Sequence, residues 1–196
     1  MKSIVFSILL GSCLVPSVQA QNYVSKVWVA DQGDGTYKNP VLYADYSDPD
    51  VCRVGDDFYM TSSSFGCLPA LQILHSKDLV NWSIVSAAVP ASLPPHTDVT
   101  PQHGNRVWAP CIRHHNGDFY IFWGDPDQGI FMTKAKDVKG PWCEPVLVKA
   151  AKGIIDTTPL WDEDGRVYLA HAYAGSRAGL KSVIAVCELS TDATRT

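Results

Sequence analysis

PDVCRVGDDFYMTSS, running from Pro49 to Ser63, is answered by PCIRHHNGDFYIFWG from Pro110 to Gly124 and by PLWDEDGRVYLAHAY from Pro159 to Tyr173. Each stretch opens on a proline, continues as an apolar strand, turns through Gly and Asp, and resumes as a second strand. Two strands about a Gly/Asp turn form a β-hairpin. The prolines are spaced by 61 and 49 residues. A second element follows each of the first two hairpins: LQILHSKDLVNW from Leu71 to Trp82, and IFMTKAKDVKGPW from Ile130 to Trp142. Both read as a strand, a Lys-Asp turn and a tryptophan opening the next strand. The pairs Lys77-Asp78 and Lys136-Asp137 lie 59 residues apart. A third, weaker copy, VIAVCELSTD, ends at Asp192. No window longer than a turn or two has a helical period.

A repeat of roughly 50 to 60 residues holding four short strands is the signature of a β-propeller blade. The chain holds two full copies and most of a third, whereas a ring closes with roughly four to eight blades. The expected fold is therefore all-β, about three blades of a propeller, and the sequence is expected to be truncated at its C-terminal side. A three-unit β-sandwich would not call for the recurring order of proline, hairpin, Lys-Asp turn and tryptophan.

The composition agrees with that architecture. Of 196 residues, 46% are hydrophobic, 10% aromatic and 18% charged. A chain this apolar can build a core, which excludes disorder. The net charge of −4, with no block of like charges, argues against nucleic acid or an anionic membrane surface as partner. Residues 1–20 carry Lys2, an apolar run from Ile4 and small residues before a cut after Ala20, and read as a secretory signal too short to span a bilayer. LGSC ending at Cys13 offers a lipoprotein box as the alternative. Export to the periplasm or medium is expected on either reading. Residues 21–38 then form a leader, and residues 39–196 the partial propeller. Five cysteines follow Ala20, an odd number without zinc spacing. Four of the five sit in apolar runs and are expected to be small buried hydrophobes, with one disulfide as the alternative.

In a propeller the innermost strand of each blade lines the axis, so repeat-equivalent positions converge at one end. Those positions hold Asp48 in YSDPDV, Ala109 in VWAP and Asp156 in GIIDTTP, with Trp108 beside the second. An Asp before Pro also suits a turn or a cap. Two aspartates at matched positions beside an indole make a second reading available: acids for proton transfer and a ring face for a sugar. Asp56, Asp57, Asp118 and Asp164 read as turn residues, and Trp82, Trp142 and Trp161 as core.

Taken together, NPVLYADYSDPDV, VGDDFYMTSSSF, HSKDLVNW, VWAPCI with NGDFYIFWGD, GPW and GIIDTTPLWDEDGRVYL resemble glycoside hydrolase family 43 over residues 39–192. The resemblance implies a five-bladed propeller that cleaves arabinose or xylose linkages with inversion. It implies that Asp48 is the general base that deprotonates the attacking water. Asp156 would be the aspartate that tunes the acid and holds the substrate. Trp108 and Phe65 would be aromatic walls of the sugar pocket, with Tyr173 a third wall and His103 a contact to a sugar hydroxyl. No cofactor and no metal are implied by these residues.

The family's acid is a glutamate of the fourth blade, and Glu144, Glu163 and Glu188 all stand in other repeat contexts. The 196 residues alone are therefore expected to be inactive. Arabinofuranosidase and β-xylosidase stay balanced. A retaining fructosidase would show NDPNG and RDP segments where this chain has SDPDV and IDTTP. A non-catalytic sugar-binding propeller and a protein-interaction scaffold are the readings from other classes. The oligomeric state is left open.

Overall fold

The computed structural model describes residues 27–90 and 103–196, so the signal segment and Cys13 lie outside the described residues. Three antiparallel sheets follow one another along the chain. The first holds β1 (Asp50–Val54), β2 (Asp57–Thr61), β3 (Ala70–Ser76) and β4 (Ser83–Val89), neighbours in that order. The second holds β5 (Trp108–His115), β6 (Asp118–Asp125), β7 (Gly129–Ala135) and β8 (Val146–Ala150), again in sequence order. The third holds β9 (Ile154–Trp161), β10 (Val167–Tyr173) and β11 (Ala185–Leu189). A single helical turn, α1 (Gly175–Ala178), sits between β10 and β11. The three sheets are the three blades expected from the repeat. Among the described residues no helix is long and apolar enough to cross a membrane.

The hairpins fall where the sequence placed them. In the second, His115 pairs with Asp118 and the connecting Asn116 and Gly117 have φ of 49° and 79°. Two left-handed residues in a two-residue loop give the primed turn whose twist matches the strands, which is why Asn-Gly stands there. The innermost strands β1, β5 and β9 lie side by side, β1 against β5 and β5 against β9. Two apolar layers fill the gaps between blades. Strand β6 is buried on both faces and feeds both: Phe119, Ile121 and Trp123 enter the layer shared with the first blade, and Tyr120 and Phe122 the layer shared with the third. Period-two alternation produces this division. Each such side chain contributes roughly 1.5–3 kcal/mol by leaving water.

Several local expectations need correction. Asp57 and Asp118 open β2 and β6, where each meets the lysine of its own blade's Lys-Asp turn: Lys77 Nζ to Asp57 and Lys136 Nζ to Asp118, both at 2.6 Å. Trp142 does not open β8, which starts at Val146, because Pro141 and Pro145 flank it and cannot donate to a ladder. Its indole N–H donates to the Val138 carbonyl at 3.2 Å, as that of Trp82 does to Leu79 at 2.9 Å. Both tryptophans are half-buried. Trp161 is the last residue of β9 and stacks on His115 with centroids 4.5 Å apart. Of the five described cysteines, all free, only Cys111 is buried. Cys52 and Cys187 are partly covered on strands, and Cys67 and Cys143 are exposed in loops.

Candidate active site

Asp48, Ala109 and Asp156 share one unusual backbone conformation, with φ of 49°, 34° and 54°. Left-handed backbone at a residue with a Cβ costs roughly 1–2 kcal/mol. Three repeat-equivalent positions in that state mark a shared device at one end of the inner strands. Ala109 and Asp156 lie within β5 and β9 at irregularities in pairing, between Trp108 and Cys111 in one and opposite Ala170–Ala172 in the other. Such bulges re-aim side chains. Asp48 stands two residues before β1.

The Asp48 carboxylate is held from two sides. Ser47 Oγ and Ser63 Oγ donate to Oδ2 at 2.8 and 2.7 Å. Ser63 is buried and in turn accepts the Ala109 N–H at 2.8 Å. One hydroxyl thus connects the equivalent positions of the first two blades. Asp156 is open to solvent on one side, yet its carboxyl is raised above the ordinary carboxylate range, first by partial desolvation and then by the negative charge of Asp48. The charge of Asp48 thus bears on the Asp156 carboxyl.

The aromatic candidates divide. Trp108 opens β5, half-buried, beside Ala109. Its indole N–H donates to the Gly104 carbonyl at 2.8 Å, and the Arg177 guanidinium lies 5.7 Å from the ring centroid. Arg177 also donates to Asn105 Oδ1 at 3.0 Å and pairs with Asp127 at 3.4 Å, so α1 of the third blade braces the loop ahead of Trp108. Phe65 exchanges both backbone hydrogen bonds with Val107, at 3.0 and 3.2 Å, which sets it beside the Trp108 segment. It also lines a cleft with Tyr46, Ser63 and Gln72. His103 is exposed in the turn leading to Trp108. Tyr173 ends β10 opposite Ile154; its ring meets His171 edge-on at 5.1 Å and packs on the apolar layer between the second and third blades.

Glu144 lies between β7 and β8, Glu163 in the β9–β10 turn and Glu188 on the outer strand β11, all exposed and none on an inner strand. Among the described residues no group of three or more His, Cys, Asp or Glu could hold a metal ion. Sequence reasoning missed Ser63 and Ser47. The signal for Ser63 was the serine run TSSS at the end of the first hairpin, and that for Ser47 its place directly before Asp48.

The sequence model described as Glycosyl hydrolases family 43 matches residues 37–196. A beta-xylosidase of Formosa agariphila is 34% identical over 190 residues, covering 92% of this chain and 32% of its own. A non-reducing end alpha-L-arabinofuranosidase of Bacteroides ovatus is 37% identical over 130 residues, covering 62% of this chain and 24% of its own. The crystal structure of a xylan beta-1,4-xylosidase from Bacillus halodurans C-125 superimposes with a TM-score of 0.68 at 29% identity, over 80% of this chain and 31% of that one. The chain thus spans about a quarter to a third of the length of the curated relatives it matches. The three-blade architecture agrees with the family match, and the chain belongs to family 43 of the glycosyl hydrolases.

Proposed function

We propose that the polypeptide hydrolyses O-glycosidic bonds in arabinose- or xylose-containing plant saccharides, with inversion, using Asp48 as general base. The observation that carries this reading is the pairing of Asp48 with Asp156 at repeat-equivalent, left-handed positions, where the charge of one raises the other. Asp48, oriented by Ser47 and Ser63, takes a proton from a water that attacks the anomeric carbon. Inversion needs the base and the acid about 6.5–9.5 Å apart, leaving room for that water. Asp156 holds the sugar and, by its negative charge, keeps a neighbouring carboxylic acid protonated near neutral pH. Trp108 and Phe65 offer ring faces to the pentose.

The proton donor is assigned to a residue outside this sequence, because none of the three glutamates stands on an inner strand. The matched stretches make up only 32% and 24% of the relatives named as xylosidase and arabinofuranosidase, which supports an active unit larger than these 196 residues. The 196-residue chain alone is therefore expected to turn over neither substrate, since a general acid contributes roughly 10²–10⁴ in rate. In the intact polypeptide, Asp48→Asn is expected to keep the fold and lose on the order of 10²-fold or more in activity on aryl β-xyloside or aryl α-arabinofuranoside, because an amide cannot accept the water's proton. Near-normal turnover by a folded Asp48→Asn protein would remove Asp48 from this role.

A further inference from the structure

Two residues beyond Asp48 stands Asp50, the first residue of β1, and two beyond Asp156, on the same strand β9, stands Thr158. Both are reached by one side chain of the intervening blade. Arg113 of β5 donates through Nη1 to Asp50 Oδ2 at 2.5 Å and to the Ile112 carbonyl at 2.7 Å, and through Nη2 to Thr158 Oγ1 at 2.9 Å. The same Asp50 oxygen accepts the Ile112 N–H at 2.8 Å. The ion pair is about one-third exposed on each side, 33% for Arg113 and 29% for Asp50, so bulk water does not fully screen it. The first and third blades are separate sheets. The fork of Arg113 therefore ties both to the second blade, one strand step from each candidate catalytic aspartate.

We propose that Arg113 is a positioning residue whose guanidinium sets the separation of the Asp48 and Asp156 carboxylates by clamping their strands to the second blade. The inference rests on the pairing of those aspartates proposed above. The clamp works against repulsion between two like charges, so loosening it lets the strands relax apart. A rigid, two-armed donor is required. Lysine keeps the charge but presents a compact ammonium on a flexible stem in place of a fixed planar fork.

The test uses the intact polypeptide with Arg113→Lys and with Thr158→Val, a near-isosteric change that removes the third-blade arm together with the hydrogen bond of Thr158 to the Cys111 thiol. The Asp156 carboxyl is titrated by ¹³C NMR, kcat and KM are measured on an aryl pentoside, and thermal melting monitors the fold. The Asp48→Asn protein supplies the benchmark, because it removes the charge that acts on Asp156. In both variants the Asp156 midpoint is expected to fall toward the ordinary carboxylate range, in the direction taken by Asp48→Asn. kcat is expected to fall on the order of 10- to 100-fold with KM little changed, as for a misplacement near 1 Å. A lowered melting temperature with the Asp156 midpoint and kcat both unmoved would reduce Arg113 to a structural tie and overturn the proposal. Should Arg113→Lys fail to fold, Thr158→Val decides by the same readouts. Should the wild-type polypeptide cleave no pentoside, the functional reading fails, and the NMR titration alone still decides whether Arg113 sets the spacing.

Discussion

Replacing Ser63 by alanine removes one hydroxyl that serves two partners, and its effect can be worked from their surroundings. The bond from Ser63 Oγ to Asp48 Oδ2 at 2.7 Å is charge-assisted, a type worth roughly 1.5–3 kcal/mol. Asp48 is exposed, however, so water recovers part of that loss, and roughly 1 kcal/mol remains. The Ala109 N–H, which donates to Ser63 Oγ at 2.8 Å, is left half-buried without its acceptor, at about 1–2 kcal/mol. Ser63→Ala is therefore expected to destabilise the fold by roughly 2–3 kcal/mol. Ser47→Ala removes the other donor to the same carboxylate oxygen, but at a solvent-facing bond, and should lie within about 0.5 kcal/mol of wild type. Urea unfolding followed by tryptophan fluorescence gives both values, provided the slopes agree. Equal effects of the two substitutions, or a Ser63→Ala effect below about 0.5 kcal/mol, would refute the reasoning.

Three further outcomes are expected. Asp156 keeps its proton in the folded state to a higher pH than in the unfolded chain, so native stability declines as pH rises from the ordinary carboxylate value of 3.8 through the raised folded value. Asp156→Asn should accordingly be more stable than wild type near neutral pH and equal to it below that window, and urea midpoints at the two pH values read the sign. Gly129, at φ 134°, has the Lys149 carbonyl oxygen only 2.1 Å from where a Cβ would stand. Gly129→Ala should lower the urea midpoint by an amount equivalent to about 3 kcal/mol from strain and overpacking; a change under about 1 kcal/mol would contradict the close approach of β7 and β8. In the folded protein Cys67 and Cys143 should react rapidly with a disulfide reagent, while Cys111, buried with its thiol pushed up to about 12, should wait for denaturant; equal rates would contradict its burial.

What the sequence disclosed was whatever a local period can carry. The alternation that sends Ile121 and Phe122 to opposite layers is visible within β6 itself, and the Asn116-Gly117 turn announces its hairpin. Repetition then aligned Asp48, Ala109 and Asp156, and the common left-handed backbone is the physical counterpart of that alignment. The parts that stayed hidden depend on contacts between blades. Ser63 meets Ala109 across 46 residues and Arg113 meets Asp50 across 63, distances at which no turn or period reports a partner. Apolar neighbours suggested burial for four of the five cysteines, but Cys67 and Cys143 fall in connections that run over the surface. Tyr173, offered as a third pocket wall by the family resemblance, faces the core residue Ile154 across the ladder, and its ring packs on the same apolar layer.

The most direct test of the account is the anomeric configuration of the sugar first released by the intact polypeptide, followed by proton NMR before mutarotation equilibrates it. With Asp48 acting as base on a water, the product of an aryl β-xyloside should appear first as the α-anomer, and that of an aryl α-arabinofuranoside as the β-anomer. First appearance of the retained anomer would mean a covalent glycosyl-enzyme and a carboxylate acting as nucleophile, and would contradict the role given to Asp48.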